Sequence, residues 1–450
     1  MPRRLVKPAF AAAVALALAG CYGVATASWV IGSVEGGWIY KYVRPWTFRP
    51  VLVALVISSA AAVLLSIEVK GRGVHRLLIA WVLFATCAHA AMHAGAPARL
   101  QQLYVSREAN SFYSLSQQQT ASDLLRRFNR VRLNAPHHAR SNMPGKTILT
   151  YGLELISTDT RVLPWLVVSL SNLGALLMFV FVRDLFGDTR TAVYSAVLYL
   201  FVPSRVFFFP LMNTVTPVVA LACACLLVKW LRGGRATRAM LFGVSLYGLV
   251  FFEPLPLVTG LLFAALSALA IYRRWISIDR FVLHSCLVLA TFIVVSEVVA
   301  LATGFQLLFA FRQIQSHALA FNLIEARPYP VWIIANLGEF LFATGVAQAV
   351  LVVAAPFADR PQPGAGWRDW IDRPIAVTTI GLLAVLVATD LAGVNRGEVT
   401  RLWIFLASFF QIPAAYFCAR APGSGPITMV LTLTTMHTAM ALAMVRFVVP

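Results

Sequence analysis

Apolar residues run along this chain in blocks separated by short polar links. A block of about 20 apolar residues crosses a bilayer core as a helix. About thirteen such blocks can be delimited, at 9–33, 51–67, 77–95, 163–182, 190–204, 212–231, 239–253, 255–272, 283–304, 331–356, 374–394, 402–419 and 426–447. The second, fifth and seventh are short. Pro203, Pro210, Pro217, Pro254 and Pro256 predict broken or kinked helices, because proline lacks the backbone donor and clashes with the preceding turn. The pattern predicts an all-α polytopic membrane helix bundle, a single integral membrane domain over 1–450. No soluble domain, low-complexity tract or internal repeat is visible. Residues 11–32 form too long an apolar core for a signal peptide and lack a cleavage-like flank, so they read as the first span.

The interruption at 96–162 stands apart as a large loop. Its 103–152 portion holds Glu108 beside Phe112 and Tyr113, then an Arg-rich helix-like segment at 123–132. A turn with the sequence HHARSNMPGK follows at 137–146. A protein that only spans a membrane has no need of such a segment. Chemistry on a phosphorylated lipid at the water boundary gives it a use.

Composition sharpens the class. The chain of 450 residues is 59% hydrophobic and only 12% charged, whereas soluble domains carry about 25% charged residues. Its formal net charge is +19. The basic residues lie between apolar blocks, so they read as topology signals and contacts to anionic membrane lipids. No basic domain or aromatic-basic platform points to nucleic acid.

Placing Arg3, Arg4 and Lys7 in the cytoplasm puts the links near Lys70 and at 183–190, 229–238, 273–280 and 360–373 on that side. Residues 34–50, 96–162, 306–330 and 395–401 and the C-terminus then face outward. The 359–374 linker carries Trp367 and Trp370, which suit interfacial anchoring. Cys21, Cys87, Cys223, Cys225, Cys286 and Cys418 all fall in apolar blocks. They read as packing residues rather than a disulfide framework or a metal site.

Several polar groups sit where chemistry could use them. Glu108 could take a proton from an acceptor hydroxyl, or simply be a solvated loop acid. Glu35, in VEGGWIYKYVRPW, is the other outward acid near a span end and the second candidate base. His137, His138, Arg140 and Lys146 surround the Pro144-Gly145 turn and could hold a phosphate, or meet lipid headgroups. Gly145-Lys146-Thr147 is not a P-loop, because Arg140 stands where that motif needs glycine. Adjacent histidines point apart, so no metal ligand set is assigned. Arg396, Glu398 and Arg401 pack three charges into an outward turn and could clamp a lipid phosphate, the alternative being a self-paired helix cap. Glu297 and Glu339 lie inside apolar blocks, where an ionisable group suggests a site or a buried polar partner.

These features together resemble the GT-C superfamily of polytopic glycosyltransferases, which includes the protein mannosyltransferases and the lipid A aminoarabinose transferase. The resemblance covers the architecture of the whole chain. As sequence pattern it rests on three stretches. They are Glu108 with Phe112 and Tyr113, leading to His137-His138 and Met143-Pro144-Gly145; 336–340 (NLGEF); and 395–403 (NRGEVTRLW). Glu108 stands where aspartate is usual, and Met143 where a first proline is commoner. Two extra spans precede the loop; if they are the family's first pair, Glu35 takes the catalytic place.

The resemblance implies a helical bundle with short amphipathic helices in the outer loop, in a bacterial cytoplasmic membrane. It implies transfer of a sugar from a polyprenyl-phosphate carrier to a lipid, glycan or protein acceptor, with inversion. Glu108 would be the base, and Arg396 and Arg401, with Lys146 and His138, would balance the leaving phosphate. A divalent cation is compatible with this scheme but no residue pattern requires one. The rival reading is a transporter or flippase for a lipid-linked saccharide, with Glu297 and Glu339 as a proton relay.

Overall fold

The computed structural model describes residues 3–67, 73–359 and 372–450. Lys70, Trp367 and Trp370, and the side chains of Arg3, Arg4 and His137, lie outside what is described. The chain is helical almost throughout, with only two pairs of two-residue strands among the described residues.

Nine helices among the described residues are long and apolar enough to cross a membrane, from Lys7–Ala25 to Gly425–Met444. A tenth candidate is the pair Tyr329–Thr344 and Val346–Phe357, bent by 99° where Gly345 adopts a φ of +98°. Three of the expected spans are shorter than that criterion. The 190–204 block is the 12-residue helix Thr189–Leu200, followed by the short helix Pro203–Phe207. The 239–253 block is the 17-residue helix Ala236–Phe252. The 402–419 block is divided between Ile404–Phe409 and Gln411–Arg420.

The break near Pro203 is where backbone carbonyls lose their helical partners, and buried side chains supply replacements. His89 Nε2 lies 3.0 Å from the Leu200 carbonyl and His93 Nε2 lies 2.9 Å from that of Val206. The fully buried Arg205 donates to Ser171 Oγ at 2.9 Å and Asn172 Oδ1 at 3.0 Å. Irregular backbone at membrane depth is tolerated only where protein satisfies it in this way.

Helices Met212–Gly233 and Gly425–Met444 lie deep in the bundle, whereas Ile278–Thr303 packs along Ala236–Phe252 and leaves most of its surface exposed. Exposed Leu289, Val294 and Leu301 on that helix suit contact with lipid.

Links that the charge pattern assigned to the same side meet at the same end. At one end Arg420 joins Asp188 at 2.7 Å and Asp359 at 3.1 Å, and Arg273 joins Asp372 at 2.8 Å. At the other, Lys41–Tyr42 pairs with Val445–Arg446, and Trp332 Nε1 donates to the Gly36 carbonyl at 3.1 Å. The 96–162 loop folds at this second end into short helices: Leu100–Val105, Ser111–Ser116, Ala121–Arg126, Phe128–Leu133, His137–Arg140 and Gly145–Glu154. The 306–330 stretch, read from sequence as a loop, contains the 18-residue helix Leu307–Ile324.

Candidate functional site

Local hydrogen bonds place the HHARSNMPGK turn. Asn110 Nδ2 donates to the Tyr104 carbonyl at 2.9 Å, which fixes the start of helix Ser111–Ser116. Ser111 Oγ then accepts from Ala139 N at 2.7 Å and ties that helix to the turn. At Gly145 the chain runs so close to the end of helix Ala236–Phe252 that a Cβ would stand 2.5 Å from Phe252 Cα. Only glycine permits this approach. The consequence is chemical: Lys146, fully buried, reaches Glu253 at 2.9 Å and Asn142 Oδ1 at 2.9 Å. Thr216 Oγ1 also donates to Glu253. Burial lowers the Lys146 pKa from its ordinary 10.5, and the Glu253 carboxylate opposes that shift.

A second construction holds the 395–403 stretch. Gly397 has a φ of +85° and Glu398 one of +59°, so two successive residues occupy the left-handed region. Strain of that kind persists only where the surroundings over-determine it. Here Asn336, one turn from Glu339 on the same helix face, does so. Its Nδ2 donates to Asn395 O and Asp390 Oδ1, both at 3.0 Å, and its Oδ1 accepts from Gly397 N at 3.0 Å. Glu339 Oε2 accepts from Thr400 N at 3.1 Å. The 336–340 and 395–403 stretches are therefore one structural unit.

Between these two constructions lies a cavity of about 310 Å3. Its walls come from Ser141 and Asn142 of the turn, Glu253–Leu257, one face of helix Leu307–Ile324, and the 394–402 stretch. Phe311, Ile314, Ala318 and Phe321 supply apolar surface on one wall. Three arginines, Arg327, Arg396 and Arg401, face two carboxylates, Glu253 and Glu398, so the charged lining has a positive excess. Glu398 bridges Arg327 at 3.1 Å and Arg401 through its other oxygen. Arg401 Nη1 lies 2.9 Å from His138 Nε2; a guanidinium only donates, so that nitrogen presents its lone pair. Arg327 and Arg396 each donate to the other's backbone carbonyl, at 2.6 and 2.8 Å, and Arg396 stacks over Tyr329. The guanidinium groups are thus held in place before any ligand arrives.

The structure brings together His138, Arg396, Glu398 and Arg401 on the cavity, with Lys146 behind Glu253. Arg140 does not line it; its carbonyl accepts from Arg132 at 2.9 Å. Glu108 and Glu35 are both exposed and neither lines the cavity. Glu35 neighbours Gly36, which packs on one side of Trp332 while Gly397 packs on another. Glu297 is exposed on helix Ile278–Thr303, and Glu339 is buried against Thr400, so the two make no contact that would relay a proton directly. Glu253 and Arg327 were missed by sequence reasoning. A signal existed: each is a charged residue immediately before a proline, Pro254 or Pro328, at a turn between apolar blocks.

No group of three or more His, Cys, Asp or Glu side chains that could hold a metal ion occurs among the described residues. Comparison with known proteins finds no family model and no curated protein that matches this chain.

Proposed function

We propose that this protein is a membrane glycosyltransferase that moves a sugar from a polyprenyl-phosphate carrier to an envelope acceptor at the outer face of the cytoplasmic membrane. The observation that carries the reading is the cavity itself. Four stretches far apart in sequence converge on it, with three pre-positioned arginines beside an apolar wall. A lipid-phosphate leaving group needs such charge stabilisation more than it needs a strong acid. The apolar wall suits the start of its isoprenoid tail.

In this scheme the acceptor hydroxyl oxygen attacks the anomeric carbon as the bond from that carbon to the carrier phosphate breaks. The hydroxyl proton passes to a carboxylate, and the carrier leaves as a phosphate anion facing Arg396 and Arg401. Displacement in one step inverts the anomeric centre. Glu398 is engaged by two arginines, which suits an orienting role. Glu253, on the cavity wall and held by Lys146 and Thr216, is the carboxylate best placed to accept the proton. Glu108 and Glu35 remain the alternatives from the sequence pattern.

The test is mass spectrometry of envelope glycans and glycolipids in a strain deleted for the gene and complemented with variants. Loss of a general base lowers turnover by about 10²–10⁴-fold, so Glu253→Gln at equal protein level should remove a sugar-bearing species that the wild-type gene restores. Full restoration by Glu253→Gln, with loss in Glu108→Gln or Glu35→Gln, would move the base to that residue. Full restoration by all three carboxylate variants, with the product lost only in the empty deletion, would favour the transport reading.

A further inference from the structure

A second cavity, of about 360 Å3, shares no lining residue with the first. It lies where the start of helix Arg49–Ser66 meets the ends of helices Gly73–His93 and Gly425–Met444. Its rim is polar and basic, with Arg44, Thr47 and Arg49; its wall is apolar, with Val53, Met92 and Ala439. No acidic residue lines it.

The two arginines carry no neutralising counter-charge among the described residues. Arg327, Arg401, Arg420 and Arg273 each meet a carboxylate. Arg44 gives one N–H to the Gly95 carbonyl at 3.0 Å, and neither it nor Arg49 has a carboxylate partner among the described residues. At the same mouth, helix Arg49–Ser66 begins without a side-chain cap. Uncapped N–H groups add to the attraction for an anion. Trp46 and Phe48, 46% and 55% exposed, flank the rim, as aromatic residues do at a membrane–water boundary.

We infer that this cavity binds an anionic phospholipid, its phosphodiester held by Arg44 and Arg49 and an acyl chain lying along Val53, Met92 and Ala439. A soluble phosphate would use the arginines but gain nothing from the apolar wall. A zwitterionic lipid would bring a cation to a rim that offers it no counter-charge. The site is independent of the proposed transfer reaction.

The experiment is titration of the full-length protein, in a neutral detergent, with phosphatidylglycerol and separately with phosphatidylcholine, read by native mass spectrometry. Phosphatidylglycerol should bind more tightly. Each basic group near a lipid headgroup contributes about fivefold, so the Arg44→Gln, Arg49→Gln double variant should bind it about thirtyfold more weakly. Arg161→Gln, an exposed cation outside the cavity, should leave binding unchanged. Val53→Trp, which fills the apolar wall and keeps both arginines, should also weaken it; this variant carries the test if the double variant does not fold. Unchanged affinity in the double variant or in Val53→Trp would overturn the assignment. So would displacement of the lipid by an equal concentration of glycerophosphate, which would make the site one for soluble phosphate.

Discussion

Glu253 owes its place to its neighbours. Its carboxylate is buried with the fully buried Lys146 at 2.9 Å. Removing one member of a buried pair strands the other, at a cost of about 3–5 kcal/mol. Lys146→Met and Glu253→Gln should therefore each lower the thermal midpoint in detergent sharply, and the Lys146→Met, Glu253→Gln double variant, which strands no charge, should lower it less than the sum of the two. Equal midpoints for wild type and Lys146→Met would show that the pair contributes nothing to stability. At the opposite end, Asp188 caps helix Thr189–Leu200 through Arg190 N. Burial pushes its pKa up, but hydrogen bonds from Thr191 and Arg420 and the Arg420 charge outweigh this and hold it below the ordinary 3.8. A carboxylate with a depressed folded pKa stabilises the fold above the unfolded value, and that contribution disappears as pH falls through the folded value. Asp188→Asn keeps the cap but removes the charge paired with Arg420, so it should cost up to about 1 kcal/mol near neutrality, with the difference from wild type shrinking in acid below the ordinary 3.8. Thermal unfolding at the two pH values measures it, and a constant difference would contradict the linkage.

Helix Gly145–Glu154 is positioned by what one glycine omits. A methyl group at Gly145 would collide with the Phe252 backbone, and backbone yields poorly, so Gly145→Ala should destabilise by about 1–3 kcal/mol. The same change should shift Lys146 and Asn142 and reduce turnover. Gly152, on the same helix, has nothing within 4 Å of its would-be Cβ; Gly152→Ala should be neutral or stabilising by about 0.5 kcal/mol. Paired thermal midpoints and product yields check both, and an innocuous Gly145→Ala would remove the close approach as the reason for the site's geometry. Much at this scale was legible in sequence: the apolar blocks, the proline breaks, and the turn around Pro144-Gly145. Helix Leu307–Ile324 was not, because its polar residues shorten the apolar run. Its signal lay in spacing instead, since Phe311, Ile314, Ala318 and Phe321 recur on one face.

Across the whole molecule, the basic links and acidic partners segregate to two ends, and the cavity lies at the end that holds the 96–162 loop. We expect Gln118→Cys to react with an impermeant thiol reagent from outside the cell and Thr237→Cys to react only after lysis, in a background with the exposed Cys87 and Cys286 replaced. The reverse pattern would invert the orientation and place the cavity on the cytoplasmic side. Local composition by itself determined that this chain is helical with many apolar segments long enough to cross a membrane, where its helices roughly lie, and which links share an end. Hydrophobicity and helix-breaking chemistry act over a few residues, so one sequence suffices to read them. It also marked His138, Arg396, Glu398 and Arg401 as groups worth watching. Only the tertiary structure decided that these four share one cavity, that Glu253 and Arg327 join them, and that Glu108 and Glu35 do not line it. Those outcomes depend on how helices separated by hundreds of positions pack, on single glycines that let backbones touch, and on the turn that Asn336 and Glu339 hold in place. Such contacts are long-range and leave no periodic trace along the chain.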